Sequence, residues 1–161
     1  GLFTKEYDAH LEEHSNEVQV VWLHHLNPNI RIVPISIDNT SDLSLLIGMG
    51  QDIGASLKEL DEPFLIIAPT DLTHYQPHAV VMEKDQYVIE PMMAMDSTGL
   101  YTAQTEQNVN MCGRDPVIVG MEAAKALGAT QTELVKYRTS YDAFHTGESS
   151  ALGYVSIVFS K

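Results

Sequence analysis

Apolar side chains recur along this chain at helical spacing in four regions, and each region predicts a helix. The first is residues 11–26, where the predicted helix is amphipathic and ends at Asn27-Pro28-Asn29. The second begins after a polar cap at Ser41-Asp42 and runs from Leu43 to Leu60. The remaining two are residues 79–101, interrupted at Pro91, and residues 116–127, with Asp115 as N-cap, Pro116 as the first helical residue and Gly128 just past the end.

Four other segments are rich in β-branched and aromatic residues and predict strands. Two of them, Ile30–Ile37 and Phe64–Ala68, are almost wholly apolar, which is typical of strands buried on both faces. The other two, Glu133–Tyr141 and Gly153–Ser160, lie near the end of the chain. Because strands and helices alternate before the last strands, the pattern predicts an α/β fold, with a central mixed sheet flanked by helices, in a single domain over residues 1–161.

Composition narrows the class of protein. With 44% hydrophobic and 19% charged residues, the chain is expected to be a globular domain, and no apolar run approaches the roughly 18 residues that span a bilayer. A net charge of −13 repels phosphate backbones, so we expect no nucleic-acid partner. The single cysteine excludes an internal disulfide and favours a cytoplasmic location. The N-terminal residues lack the basic and apolar regions of a signal peptide.

Three short polar segments carry the residue types that bind metals or move protons: Glu13-His14-Ser15, Asp71–Tyr75 and Cys112–Pro116. Each lies where a predicted strand or loop meets a helix, which is where open α/β folds place their sites. His14 has Glu17 on the same helix face, which is the usual arrangement of a metal-binding imidazole and the carboxylate that orients it. The alternative is that His14 is an exposed residue at a helix end.

Asp71 and His74 directly follow the predicted strand Phe64–Ala68. Asp71 could orient His74, bind a cation or act as a base, or the two residues could form a turn that caps a helix. Cys112 precedes a helix N-terminus and the basic residue Arg114, a setting that favours the reactive thiolate, although Asp115 opposes it. The alternative is that Cys112 is a small buried apolar residue.

Taken together, these motifs resemble the Memo family, which is component B of the AmmeMemoRadiSam group. The resemblance extends over nearly the whole chain. It rests on AHLEEHSNEVQ (Ala9–Gln19), IVPI (Ile32–Ile35), TDLTHY (Thr70–Tyr75), MCGRDPV (Met111–Val117), EAAKALGA (Glu122–Ala129) and the serine-rich turn before YVSIVFS. The family shares its fold with class III extradiol dioxygenases, so the resemblance implies a dioxygenase-like α/β sheet.

The resemblance also implies a site, residue by residue. The pocket histidine of the family's E-H-S motif matches His14, its D-x-x-H motif matches Asp71 and His74, and its C-G-R cysteine matches Cys112. In the family these positions surround a redox metal, iron or copper. Family members also have a region before the E-H-S helix that supplies a first strand and another histidine. This chain starts too late to hold that region, so we expect it to be a fragment or a processed chain.

Two hypotheses follow. In the first, the protein is a redox-metal oxidoreductase in which His14, His74 and Cys112 bind iron or copper and His74 or Asp71 moves the substrate proton. In the second, it is a non-catalytic module that uses the same pocket for a metal, a small aromatic molecule or a peptide. A cysteine hydrolase using Cys112 and His74 is a third interpretation, but no oxyanion hole is evident in the sequence.

Overall fold

The computed structural model of the chain describes residues 3–38, 40 and 42–161, which fall into two compact units, Gly1–Asn39 and Thr40–Lys161. The predicted cap residue Ser41 and the first two residues of the N-terminal segment lie outside the described residues.

The first unit contains a short 3-10 helix, Asp8–His10, and helix α1, Ser15–Leu26. Helix α1 ends where the sequence predicts, and the backbone N–H of Asn27 donates to the Leu23 carbonyl. It begins at Ser15 rather than at residue 11, because the Glu13 carboxylate accepts from the N–H groups of Ser15 and Asn16 and so caps the helix there. The predicted apolar face is exposed at Val18, Val21, Trp22 and Leu26.

The predicted strand Ile30–Ile37 is not formed among the described residues. A strand requires a neighbouring strand to complete its hydrogen-bond ladder, and no described segment pairs with residues 30–37. Several of its apolar side chains are exposed, and Val33 is 86% exposed. The apolar composition of residues 30–37 is typical of a strand, but composition does not identify the segment with which a strand would pair.

The second unit contains five helices and two strands among its described residues. They are α2 (Leu43–Lys58), α3 (His78–Met93), α4 (Ser97–Glu106), α5 (Arg114–Leu127), β1 (Gln131–Thr139), α6 (Ser140–Phe144) and β2 (Gly153–Ser160). Asp42 caps α2 as predicted, by accepting from the N–H of Leu45. Pro91 lies within the last turn of α3, and the predicted interruption comes just after it, at residues 94–96.

Helix α5 ends as predicted and starts two residues early. Gly128 follows its last residue with φ +95°, the left-handed conformation that favours glycine. Its N-cap is Gly113, so Asp115 and Pro116 lie inside the first turn rather than at the N-cap and first helical positions. The cap prediction for Asp115 is therefore wrong, because its side chain has a different partner, described below.

The sheet of the described residues has two antiparallel strands, β1 and β2, paired from Gln131 with Ser160 to Thr139 with Gly153. Both strands were predicted from the sequence, although β1 ends earlier because Ser140 starts a helix. The mixed sheet is not formed by these residues. The segment Phe64–Ala68 runs without a ladder partner, and Leu65 is 77% exposed. The fold is a mixed helix and strand arrangement of the α/β class.

Helices α2 and α5 of this unit pack closely against each other. A Cβ at Gly50 would lie 2.6 Å from the Val119 carbonyl oxygen, and one at Gly54 would lie 2.8 Å from the Ala123 carbonyl oxygen. These glycines therefore permit close packing of α2 against α5. No helix in the described ranges is long and apolar enough to cross a membrane.

Candidate functional site

The segment Thr70–Tyr75 crosses the beginning of β2 and is fixed to it by backbone hydrogen bonds. The N–H of Leu72 donates to the Gly153 carbonyl at 2.9 Å, and the N–H of Gly153 donates to the Thr73 carbonyl at 3.0 Å. Leu72 and Thr73 are completely buried, whereas Asp71 and His74 are partly exposed. The two apolar or neutral residues therefore anchor the segment, and the two candidate functional residues flank them.

His74 is held through its backbone by Asn110. The N–H of His74 donates to Asn110 Oδ1 at 2.8 Å, and Asn110 Nδ2 donates back to the His74 carbonyl at 3.1 Å. The imidazole Nε2 lies 3.8 Å from Asp71 Oδ2, is itself buried, and has no hydrogen-bond partner among the described residues. A buried polar atom without a partner is uncommon in a folded protein, and a bound water, ion or ligand atom is one way in which it is satisfied.

Cys112 lies beside the same segment. Its thiol is exposed, and the N–H of Asp71 donates to Cys112 Sγ at 3.4 Å. The close approach of Cys112 to this segment depends on Gly113, the next residue, because a Cβ at Gly113 would lie 2.5 Å from Thr70 Cβ. The Gly113 N–H also donates to Thr70 Oγ1 at 2.9 Å. Asp71 thus lies beside both His74 and Cys112, and the interpretation of Cys112 as a buried apolar residue is wrong, because Cys112 is exposed.

Arg114 does not act on the thiol as its position in the sequence suggests. Its guanidinium donates to Asp115 Oδ1 at 2.6 Å, to Gln104 Oε1 at 2.9 Å and to the Thr40 carbonyl at 2.9 Å. It also lies over the ring of Tyr101, 4.2 Å from the ring centroid. Asp115 is buried and accepts from the Thr40 N–H as well. Arg114 and Asp115 therefore fix the start of α2 to that of α5.

His14 belongs to the first unit, where it is exposed and occupies the N-cap position of α1. Its neighbour Glu13 does the capping. Burial raises the pKa of the Glu13 carboxyl, but hydrogen bonds from the Ser15 hydroxyl and from the Asn16 and Ser15 N–H groups outweigh it, so the pKa is lowered. A cavity of about 270 Å³ in this unit is lined by Glu13 and Glu17 but not by His14.

Two functional candidates were not found from the sequence. Asn110 gave no signal, since one asparagine before a helix has no distinctive spacing. Asp85 did carry a signal, because it interrupts the buried face of α3 that is formed by Val81, Val88, Ile89 and Met92. Its carboxylate accepts from the Thr73 N–H at 2.9 Å and from the Tyr137 hydroxyl at 2.7 Å. Burial raises the pKa of Asp85, and these hydrogen bonds and nearby His74 offset the rise only in part.

The donor types around Thr70–Tyr75 fit a redox metal, because imidazole and thiolate are ligands that iron and copper accept. The free Nε2 of His74 is the atom such an ion would take. Within the part of the chain that the structure describes, however, no three histidine, cysteine or carboxylate side chains stand close enough together to hold a metal ion. The donor atoms of His74, Cys112 and Asp71 are therefore of suitable chemical type, but they do not enclose a metal ion.

Comparison with known proteins identifies the family. The family of Memo-like proteins matches residues 2–158. A MEMO1 family protein of Methanopyrus kandleri is 38% identical over 163 residues, which cover 100% of this chain and 56% of that protein. A MEMO1 family protein of Methanocaldococcus jannaschii is 39% identical over 155 residues, which cover 93% of this chain and 53% of that protein. The chain spans little more than half the length of these relatives. As the motifs of the sequence predicted, the chain belongs to the Memo-like family.

Proposed function

We propose that this chain carries part of a redox-metal pocket, in which His74 and Cys112 bind iron or copper and Asp71 assists them. The observation that supports this is the buried Nε2 of His74, which has no hydrogen-bond partner among the described residues and faces the Asp71 carboxylate at 3.8 Å. Magnesium and calcium are disfavoured, because they prefer sites made wholly of oxygen ligands. The dioxygenase-like fold and a metal-dependent oxidoreductase activity are parts of the same proposal.

Each residue has a distinct part in this pocket. The Asp71 N–H, which donates to Cys112 Sγ, would stabilise negative charge on the sulfur. The Asp71 carboxylate, 3.8 Å from the His74 Nε2 that the ion would take, would accept a proton from a substrate hydroxyl. The bound metal would supply redox chemistry and electrostatic activation of the substrate. That His14 is a further ligand stays a prediction from the sequence.

Metal loading tests the proposal. We expect the chain, loaded anaerobically with Fe(II) or Cu(I), to bind close to one equivalent, and the His74→Ala and Cys112→Ala variants to lose that binding. His24→Ala is the matched control, because His24 is an exposed histidine near the end of α1. Wild-type protein that binds neither metal specifically would overturn the proposal. The His14→Ala variant tests the predicted additional ligand in the same experiment.

A non-catalytic binding module is the second candidate, and the open arrangement of donors favours it. No three of the described donor side chains enclose an ion, and the ring of Tyr75, 69% exposed, stands beside His74 with ring centroids 5.8 Å apart. Such a rim suits a small aromatic or peptide ligand. Oxygen uptake by the metal-loaded protein with a panel of catechols separates the two: turnover supports the oxidoreductase, and binding of metal without turnover supports the module.

A further inference from the structure

Asp85 is a buried carboxylate in a position that packing alone does not explain. It lies in the middle of α3 with 0% exposure, and in the described part of the chain no lysine or arginine forms an ion pair with it. Burying an unpaired carboxyl group is costly, and an apolar residue would continue the buried face of α3 without that cost. A polar group kept in such a place indicates a role in fixing something else.

The contacts of Asp85 converge on the segment that carries His74. One carboxylate oxygen accepts from the N–H of Thr73, the residue directly before His74, and the other accepts from the Tyr137 hydroxyl on β1. Gly153 of β2 lies against the same carboxylate, and any Cβ there would overlap it. Asp85 thus joins α3, β1 and β2 to one peptide group of the candidate site.

The N–H of this peptide group is held neither by β2 nor by Asn110. Gly153 bonds the Leu72 N–H and the Thr73 carbonyl, and Asn110 bonds both backbone groups of His74. The Thr73 N–H is left to Asp85. With all of these bonds in place, the backbone on both sides of His74 is held in one conformation, which restricts the rotamers that its ring can adopt.

We propose that Asp85 is a positioning residue of the candidate metal pocket: through the Thr73 N–H it fixes the orientation of His74 relative to Asp71 and Cys112. The inference rests on the proposed function, because it assigns Asp85 a part in the same pocket. It adds a residue that makes no contact with the metal and that lies outside the three polar segments of the sequence.

Three variants of the full chain test this inference in the metal-free state. Asp85→Ala removes the acceptor of the Thr73 N–H, whereas Asp85→Asn keeps a carbonyl oxygen there. Ser97→Ala is the matched control, since it removes a buried 2.5 Å hydrogen bond to Glu122 that has no link to residues 70–75. The readouts are the ¹⁵N shifts of the His74 ring at one pH, assigned with His74→Ala, and amide exchange of Thr73 compared with that of buried Ile118.

We expect Asp85→Ala to shift the His74 ring signals and to accelerate exchange of the Thr73 amide by about tenfold more than that of Ile118. Asp85→Asn should restore most of both, and Ser97→Ala should change neither selectively. In the metal titration, Asp85→Ala should lower the affinity by about 10-fold or more, the size of effect known for residues that orient metal ligands.

Unchanged His74 signals in a folded Asp85→Ala variant, or uniform acceleration of Thr73 and Ile118, would show a purely structural role and overturn the inference. If Asp85→Ala does not fold, Tyr137→Phe, which loosens the carboxylate without removing it, must shift the His74 signals; if it does not, the inference fails. A wild-type protein that binds no metal would overturn the proposed function alone, because the ring signals and amide exchange still decide whether Asp85 positions His74.

Discussion

At the scale of single residues, the candidate site depends on side chains that hold its backbone as well as on the side chains proposed to bind a ligand. Asn110 bonds both backbone groups of His74, Asp85 bonds the peptide before it, and Gly113 lets Cys112 approach Thr70. Short polar side chains suit this role because they reach nearby main-chain atoms, and glycine suits it because it adds no side-chain bulk. The chemistry proposed for Asp71, His74 and Cys112 thus relies on neighbours with no chemistry of their own.

Tyr137 offers a direct test at this scale. Tyr137→Phe leaves one oxygen of buried Asp85 without its donor, so we expect the free energy of unfolding at pH 7 to fall by about 1–3 kcal/mol. Burial, the hydrogen bond to Asp85 and nearby carboxylates raise the pKa of Tyr137 above its ordinary value of 10.0. Because the neutral phenol is the form favoured by folding, its contribution is complete below pH 10.0 and is lost as the pH rises above that value.

Urea unfolding of both proteins at pH 7 and at about pH 10.5 checks this prediction, since an exposed phenol ionises near pH 10. The difference in stability between wild type and Tyr137→Phe should narrow at the higher pH. A difference that stays constant or widens would contradict it.

At the scale of elements, the glycines of α2 decide how closely it approaches α5. Glycine at a helix interior costs about 0.5–1 kcal/mol relative to alanine, so Gly48→Ala, where a Cβ would meet nothing within 4 Å, should stabilise the protein by about that amount. Gly50→Ala should instead destabilise it by about 1–3 kcal/mol, because the new Cβ would meet the Val119 carbonyl at 2.6 Å and the Glu122 side chain.

Thermal and chemical unfolding of this matched pair measures the two effects. The sign should differ between the variants although the substitution is the same. Equal stabilisation of both would mean that α2 and α5 do not pack as closely as described.

At the scale of the whole molecule, charge opposes association and exposed apolar side chains favour it. The net charge is −13 and the isoelectric point is about 4.7, while Trp22, Val33 and Leu65 are each more than 60% exposed. We expect the protein to self-associate as the pH falls towards 4.7, because mutual repulsion disappears and the apolar surface remains. Sedimentation velocity at pH 7 and near pH 4.7 measures the mass of the species in solution. A mass that does not change with pH would show that charge is not what keeps the chains apart.

The sequence by itself determined the features that depend on near neighbours. Asn27 ends α1, Asp42 caps α2 and Gly128 ends α5, because capping and left-handed conformations involve only a few consecutive residues. The strands of the β1–β2 pair and the family motifs were also evident. The motifs placed Asp71, His74 and Cys112 among the candidates, and in the structure Asp71 lies beside each of the other two.

Only the tertiary structure decided the features that depend on distant partners. Residues 30–37 and 64–68 have strand composition but no ladder among the described residues, because a strand is completed by another segment and composition does not name it. Arg114 donates to Gln104 and to the Thr40 carbonyl rather than acting on Cys112. Asp85 reaches Thr73 from another element. A carboxyl group in an apolar helix face, as at Asp85, shows that it needs a hydrogen-bond partner. The packing of α3 against β1 and β2 decides which backbone group that partner is.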